Sequence, residues 1–69
     1  MTIGEALQKL QAHWGQLHLD VGLSGATAVS NVSSAKRAWS DRGIVPRVYE
    51  APTLEQALTV ALHEERLAP

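Results

Sequence analysis

The chain of 69 residues has no cysteine. That excludes a disulfide framework and any metal site built on thiolates. It also matches the reducing interior of a cell, so a cytoplasmic location is the expectation. Phenylalanine is absent too, and Trp14, Trp39 and Tyr49 are the whole aromatic complement. No apolar run approaches the roughly 20 residues that cross a bilayer, so no membrane partner is expected. Glu5 and Lys9 interrupt the first apolar stretch, which argues against a secretory signal. Neither sign of charge dominates: six Lys and Arg stand against seven Asp and Glu, for a net charge of −1. Such a balance creates no general field toward nucleic acid or anionic lipid, and nucleic acid is a disfavoured partner.

Motifs that carry chemistry are missing as well. None of His13, His18 and His63 pair four residues apart on a helix, so no metal-binding pattern is visible. Gly22-Leu23-Ser24-Gly25 lacks the Gly-x-Ser-x-Gly spacing of a nucleophile elbow. No Lys-Ser or Lys-Thr follows these glycines, as a phosphate loop requires. The carboxylates are scattered, and Glu64-Glu65 reads as a solvated helix end. No catalytic, metal-binding or cofactor-binding residue is assigned, no cofactor is expected, and the protein is expected not to be an enzyme.

Apolar residues make up 45% of the chain, which suits a folded domain. Residues 1–69 are expected to form one small domain. A chain this short buries a thin core, so self-association as a homodimer or a permanent protein partner is expected. The organising stretch is Leu17 to Val32. Leu17, Leu19, Val21 and Leu23 alternate with Gln16, His18, Asp20, Gly22 and Ser24. Strand side chains point to opposite faces in turn, so this is the pattern of a strand with one apolar face. Ser24-Gly25 marks a tight turn. A two-residue loop there sets Leu23 against Ala26, Val21 against Ala28, Leu19 against Ser30 and Leu17 against Val32. On the polar face His18 meets Asn31 and Asp20 meets Val29.

The same stretch supports a second reading. Gly22 to Val32 resembles the turn and recognition helix of repressor headpieces, which run Gly-Val-Ser-x-x-Thr-Val-Ser-x-Val. The resemblance implies a helix-turn-helix DNA-binding regulator, with residues 24–34 as recognition helix and Lys36, Arg37 and Arg42 on phosphates. The match needs a gap, because Ala28 is extra between Thr27 and Val29. One inserted residue turns a helix by about 100°, which rotates Val29 and Val32 off the buried face. His18 occupies the position that the family fills with a small buried residue. Thr, Val, Ser and Asn also favour helices poorly. The hairpin is therefore preferred, with the repressor-like reading as the alternative.

The rest of the chain divides readily. Thr2 to Trp14 reads as a helix capped by Thr2 and Glu5 and closed by Gly15. Ser33 and Ser34 can cap a second helix over Ala35–Arg42, closed by Gly43. Ile44 to Glu50 reads as a third strand. Pro46 cannot donate to a ladder, so this strand belongs at an edge or pairs only past Pro46. Thr53 caps a last helix that runs to about Leu67, with Leu54, Ala57, Leu58, Ala61 and Leu62 as its apolar stripe. The residues beside Pro69 are expected to fray.

The resulting fold is α+β, in the order α-β-β-α-β-α. A three-stranded sheet, made of a hairpin and an edge strand, carries three helices on one face. The expected core is Ile3, Leu7, Leu10, Trp14, Leu17, Leu19, Val21, Val32, Trp39, Val48, Leu54, Leu58 and Leu62. Lys36, Arg37, Arg42 and Arg47 cluster within twelve positions and form the candidate partner-binding patch. Tyr49, on the open edge, and His18 and Asp20, on the polar hairpin face, complete it. The expected function is that of a small regulatory or adaptor protein acting by protein–protein binding. Docking is expected on the polar hairpin face or along the edge from Arg47 to Glu50.

Overall fold

The computed structural model describes residues 2–33 and 45–68. Helix α1 (Ile3–Trp14) leads into strands β1 (His18–Val21) and β2 (Thr27–Ser30), followed by β3 (Val48–Ala51) and helix α2 (Leu54–Glu64). The class is α+β, with two helices and a three-stranded sheet among the described residues. The predicted helix Ala35–Arg42 lies outside the described residues, and with it Lys36, Arg37, Trp39 and Arg42.

Both helices begin, and α1 ends, as their sequences dictate. The Thr2 hydroxyl accepts the Glu5 N–H at 3.1 Å, and the Thr53 hydroxyl accepts that of Gln56 at 3.2 Å. Each satisfies a donor that the first turn would otherwise leave open. Gly15, at φ 81°, closes α1 in the left-handed conformation and donates to the Gln11 carbonyl at 2.8 Å.

The sheet is fully antiparallel, in the order β1-β2-β3. β3 therefore pairs with β2 and not with β1. It begins past Pro46 and forms an edge, as a residue without an N–H demands. Asn31 extends this pairing: its side chain accepts the Arg47 N–H at 2.9 Å and donates to the Val45 carbonyl at 3.1 Å.

The hairpin forms, but its register differs from the expected one. Val21 pairs with Thr27, Asp20 with Ala28, Leu19 with Val29 and His18 with Ser30. The cause is the turn. A two-residue type I′ loop needs positive φ at both central residues. Only Gly25 has it, at 87°, and Ser24 does not. The Gly25 N–H instead donates to the Gly22 carbonyl at 2.9 Å, and the Gly22 N–H to the Ala26 carbonyl at 2.8 Å. The loop is Leu23-Ser24-Gly25, a turn followed by a left-handed glycine. The extra loop residue slips the strands by one position. A slip by one exchanges the faces of a strand relative to its neighbour.

That exchange redistributes the core. Val29, fully buried, now shares a face with Leu19 and Tyr49 and meets the helices. It joins Ala6, Leu10, Ala57, Leu58, Ala61 and Leu62, with Leu7, Trp14, Leu17 and Leu54 packed around them. α2 lies against β2 and β3, and α1 lies against α2, so among the described residues helical cover ends short of β1. Leu19 and Val21 are consequently not core residues: they are 46% and 74% exposed. Ile3 and Val48, also expected inside, are exposed too. On the opposite face Ala28, Ser30 and Val32 are buried, so β2 is covered on both sides. Ser30 is the buried polar residue among those described. Its hydroxyl donates to the Val32 carbonyl at 2.7 Å and accepts the Val32 N–H at 3.0 Å, which meets the cost of taking it out of water.

α2 ends at Glu64, short of the expected Leu67, because the chain turns out of the helix there, and backbone bonds hold the residues that follow. The Leu67 N–H reaches the Leu62 carbonyl at 2.8 Å and the Arg66 N–H reaches that of His63 at 3.1 Å. This is the Schellman pairing, and it returns Leu67 to the core. Arg66 takes the left-handed position, at φ 60°, where glycine is usual. A non-glycine residue there costs about 1 kcal/mol. Arg66→Gly is therefore expected to stabilise the fold by about 1 kcal/mol and to raise the melting midpoint by about 5 °C, read by circular dichroism. An unchanged or lowered midpoint would mean that the Arg66 side chain offsets the strain.

Candidate functional site

Two features stand out from the framework: a buried carboxylate cluster at one end of the helices, and the open edge of β1. The cluster is centred on Glu65, the residue that ends α2. Ala61 and Leu62 lie four and three residues before it on the apolar stripe, so its side chain continues the buried face. Only 4% of that side chain is exposed.

Four donors from three parts of the chain surround the carboxylate. Oε1 accepts from Trp14 Nε1 at 3.0 Å and lies 3.2 Å from His13 Nε2. Oε2 accepts from Arg47 Nη1 at 3.0 Å and from the Tyr49 hydroxyl at 2.6 Å. The last turn of α1 supplies His13 and Trp14, while the entry to β3 supplies Arg47 and β3 itself Tyr49. The Trp14 and Tyr49 rings stack with centroids 6.3 Å apart and planes 2° from parallel. Their apolar faces shield the carboxylate while their polar ends bind it.

Opposing effects set the ionisation of Glu65. Burial pushes its carboxyl up. Donation from Tyr49, Trp14 and His13, together with the charge of Arg47, more than reverses this and leaves it below its ordinary value. Burial first, and then the bond to Glu65, raises the Tyr49 hydroxyl. Each carboxylate oxygen already has two donors, so this group serves as a locked acceptor tying α1, β3 and α2 together.

The candidate partner-binding residues are divided by this arrangement. Arg47 and Tyr49 come together on Glu65. His18 and Asp20 sit on β1, on the face away from Leu19, Val29 and Tyr49. Lys36, Arg37 and Arg42 lie outside the described residues. Glu65 itself, read from sequence as a solvated helix end, is the centre of the cluster. The signal that could have found it is its place on the α2 stripe, one turn beyond Ala61. Among the described residues no three His, Asp or Glu side chains converge as a metal site requires.

The second feature is an unpaired strand. Gly22 donates to Ala26 across the hairpin. Bonded and non-bonded pairs alternate along an antiparallel ladder. His18 and Asp20 therefore bond β2, while the amides of Leu19 and Val21 point outward. Among the described residues β1 pairs with β2 alone. Leu19 and Val21 are exposed on the helix-side face beside this edge, and Leu23 is fully exposed in the turn beyond it. The edge of β3 is different. Asn31 donates to the Arg47 carbonyl at 3.3 Å, so Val48 and Glu50 point outward there, behind Pro46. Proline and exposed charge are devices that discourage strand addition, and β1 has an apolar row beside its edge instead.

Glu65 generates a pH dependence. Its pKa is lower in the folded chain than the ordinary 4.5. Its contribution is therefore fully present above that ordinary value and is lost as the pH falls through the folded-state value. Urea unfolding followed from pH 7 down to about pH 3 is expected to show a steeper loss of stability for the native chain than for Glu65→Gln. Glu65→Ala, which strands the Trp14 and Tyr49 donors, is expected to cost about 3 kcal/mol at neutral pH. Parallel acid profiles for the native chain and Glu65→Gln would exclude this carboxylate as the cause.

No protein-family model, curated protein or solved structure matches this chain.

Proposed function

We propose that this chain is a non-enzymatic regulatory or adaptor protein that acts by binding protein, and that the open edge of β1 is where it binds. The observation that carries the reading is the apolar row of β1: Leu19 at 46%, Val21 at 74% and Leu23 beyond it are exposed beside outward-pointing amides. An extended strand laid along such an edge gains main-chain hydrogen bonds, and its alternate side chains cover the apolar row. The edge near Arg47 to Glu50, expected to dock from sequence, is less suited. Pro46 and Glu50 guard it, and Arg47 and Tyr49 are engaged with Glu65. The repressor-like reading loses its structural premise, because Thr27–Ser30 is strand β2 where a recognition helix was required.

A photoreactive benzophenone side chain at position 23, introduced in cells that express the chain, tests this. A discrete protein adduct is expected, and it is expected to disappear when Val21→Pro is added. That substitution removes an outward N–H while sparing the β1–β2 ladder, and circular dichroism checks that the fold survives. Absence of any protein adduct, or one indifferent to Val21→Pro, would overturn the proposal.

A further inference from the structure

We infer that the strand received by β1 is β1 of a second copy, paired antiparallel about a two-fold axis at Leu19. The inference rests on the reading of β1 as the docking edge, and it names the partner and the register. A two-fold axis requires each pair of facing residues to have the same sum of numbers. The outward amides belong to the odd positions, so facing amides need an even sum. Four registers place the axis on β1, at His18, Leu19, Asp20 or Val21. An axis at His18 sets two imidazoles opposite each other and carries Val21 onto the partner's Gly15, ahead of the start of the strand at His18.

Charge separates them. An axis at Asp20 sets two aspartates directly opposite, which is destabilising. An axis at Val21 carries Leu19 onto the partner's Leu23 and His18 onto the partner's Ser24, beyond the end of the strand at Val21. With the axis at Leu19, every facing pair from residue 17 to residue 21 is complementary. Leu19 meets the partner's Leu19, Leu17 meets the partner's Val21, and His18 meets the partner's Asp20. Symmetry makes the last two contacts twice. His18 and Asp20 fall in non-bonded pairs, whose Cα atoms approach to about 4.5 Å, so an imidazole N–H can donate to the facing carboxylate. Asp20 already has an interaction in its own chain, and a carboxylate accepts more than one donor.

The apolar face agrees. Leu17, Leu19 and Val21 of both copies lie on the helix side, continuous with Val29 and Tyr49. Pairing joins two half-covered sheets into a six-stranded one and sets the two exposed rows side by side, so that their facing flanks leave water. Assembly also stops there. The outer strands of the joined sheet are the two β3 edges, guarded by Pro46 and Glu50, so the two-fold contact closes on itself.

Sedimentation equilibrium on the native chain, with isotope-filtered NOE spectra of an equal mixture of labelled and unlabelled protein, tests the inference. A dimer is expected, with an intermolecular Hα–Hα contact between His18 and Asp20. Leu19→Lys places like charges on the axis and is expected to weaken the dimer by about tenfold or more. A dimer with Asp20–Asp20 contacts, or contacts elsewhere, overturns the register. A monomer at all concentrations overturns the second copy as partner. In either case a protein adduct at position 23 that Val21→Pro abolishes would leave the docking edge standing, and loss of that adduct as well would remove both.

Discussion

A carboxylate withdrawn from water must be met by donors, or it loses its charge or opens the fold. Glu65 is met by four, and they come from widely separated parts of the chain: His13 and Trp14, then Arg47 and Tyr49. The apolar core alone leaves small helices free to slide against one another, because dispersion and burial have no direction. Hydrogen bonds to one carboxylate do have direction. They set the end of α1 and the entry to β3 against the end of α2, and the Trp14–Tyr49 stack fills the space between. Glu65 also places a negative charge at a helix C-terminus, an unfavourable position with respect to the helix dipole. Arg47 offsets it at 3.0 Å. The strained left-handed turn at Arg66 has a consequence in the same place: it ends α2 sharply after Glu65 and returns Leu67 to the core.

The hairpin turn governs the other half of the molecule. One left-handed glycine, and not two left-handed residues, gives the loop a third residue. The register then moves by one, and Val29 takes the place on the helix side that alternation had assigned to Ala28 and Ser30. A large side chain reaches the helices from the central strand, while small Ala28 and Ser30 are buried on the far face. Leu19 and Val21 keep the face predicted for them, yet α1 and α2 do not extend over it. Their exposure follows from which strand is central, since helix α2 sits over β2 and β3.

These two features divide the molecule functionally. The Glu65 side is closed, with every acceptor occupied. The β1 side is open among the described residues, with aligned amides and an apolar row. A small domain with limited capacity to bury its own apolar surface gains most from a partner on that open side. The contrast between the two sheet edges would give the proposed association a direction and a stopping point, because Pro46 and exposed Glu50 turn a neighbouring strand away from β3 while β1 presents an apolar row beside Asp20.

Local signals were enough to read both described helices with their N-caps, the glycine that closes α1, the hairpin, and the late start of β3. Thr2, Gly15, Thr53 and Pro46 act through bonds to residues a few positions away, and such interactions are written in adjacent letters. The helical stripe of α2 was legible for the same reason. Three things were not. The loop length turned on a single φ angle at Ser24, which the Ser-Gly pair leaves open. The exposure of Leu19 and Val21 depended on which strands the helices cover, a matter of strand order. The role of Glu65 depended on Trp14 and Arg47, which are 51 and 18 positions away. An apolar alternation states which side chains share a face, but burial is decided by what packs on that face. The sequence alone determined the described helices and strands, the helix starts and the end of α1, through short-range hydrogen bonds and periodicity. Only the tertiary structure decided register, core membership and the carboxylate clamp, because each requires distant parts of the chain to meet.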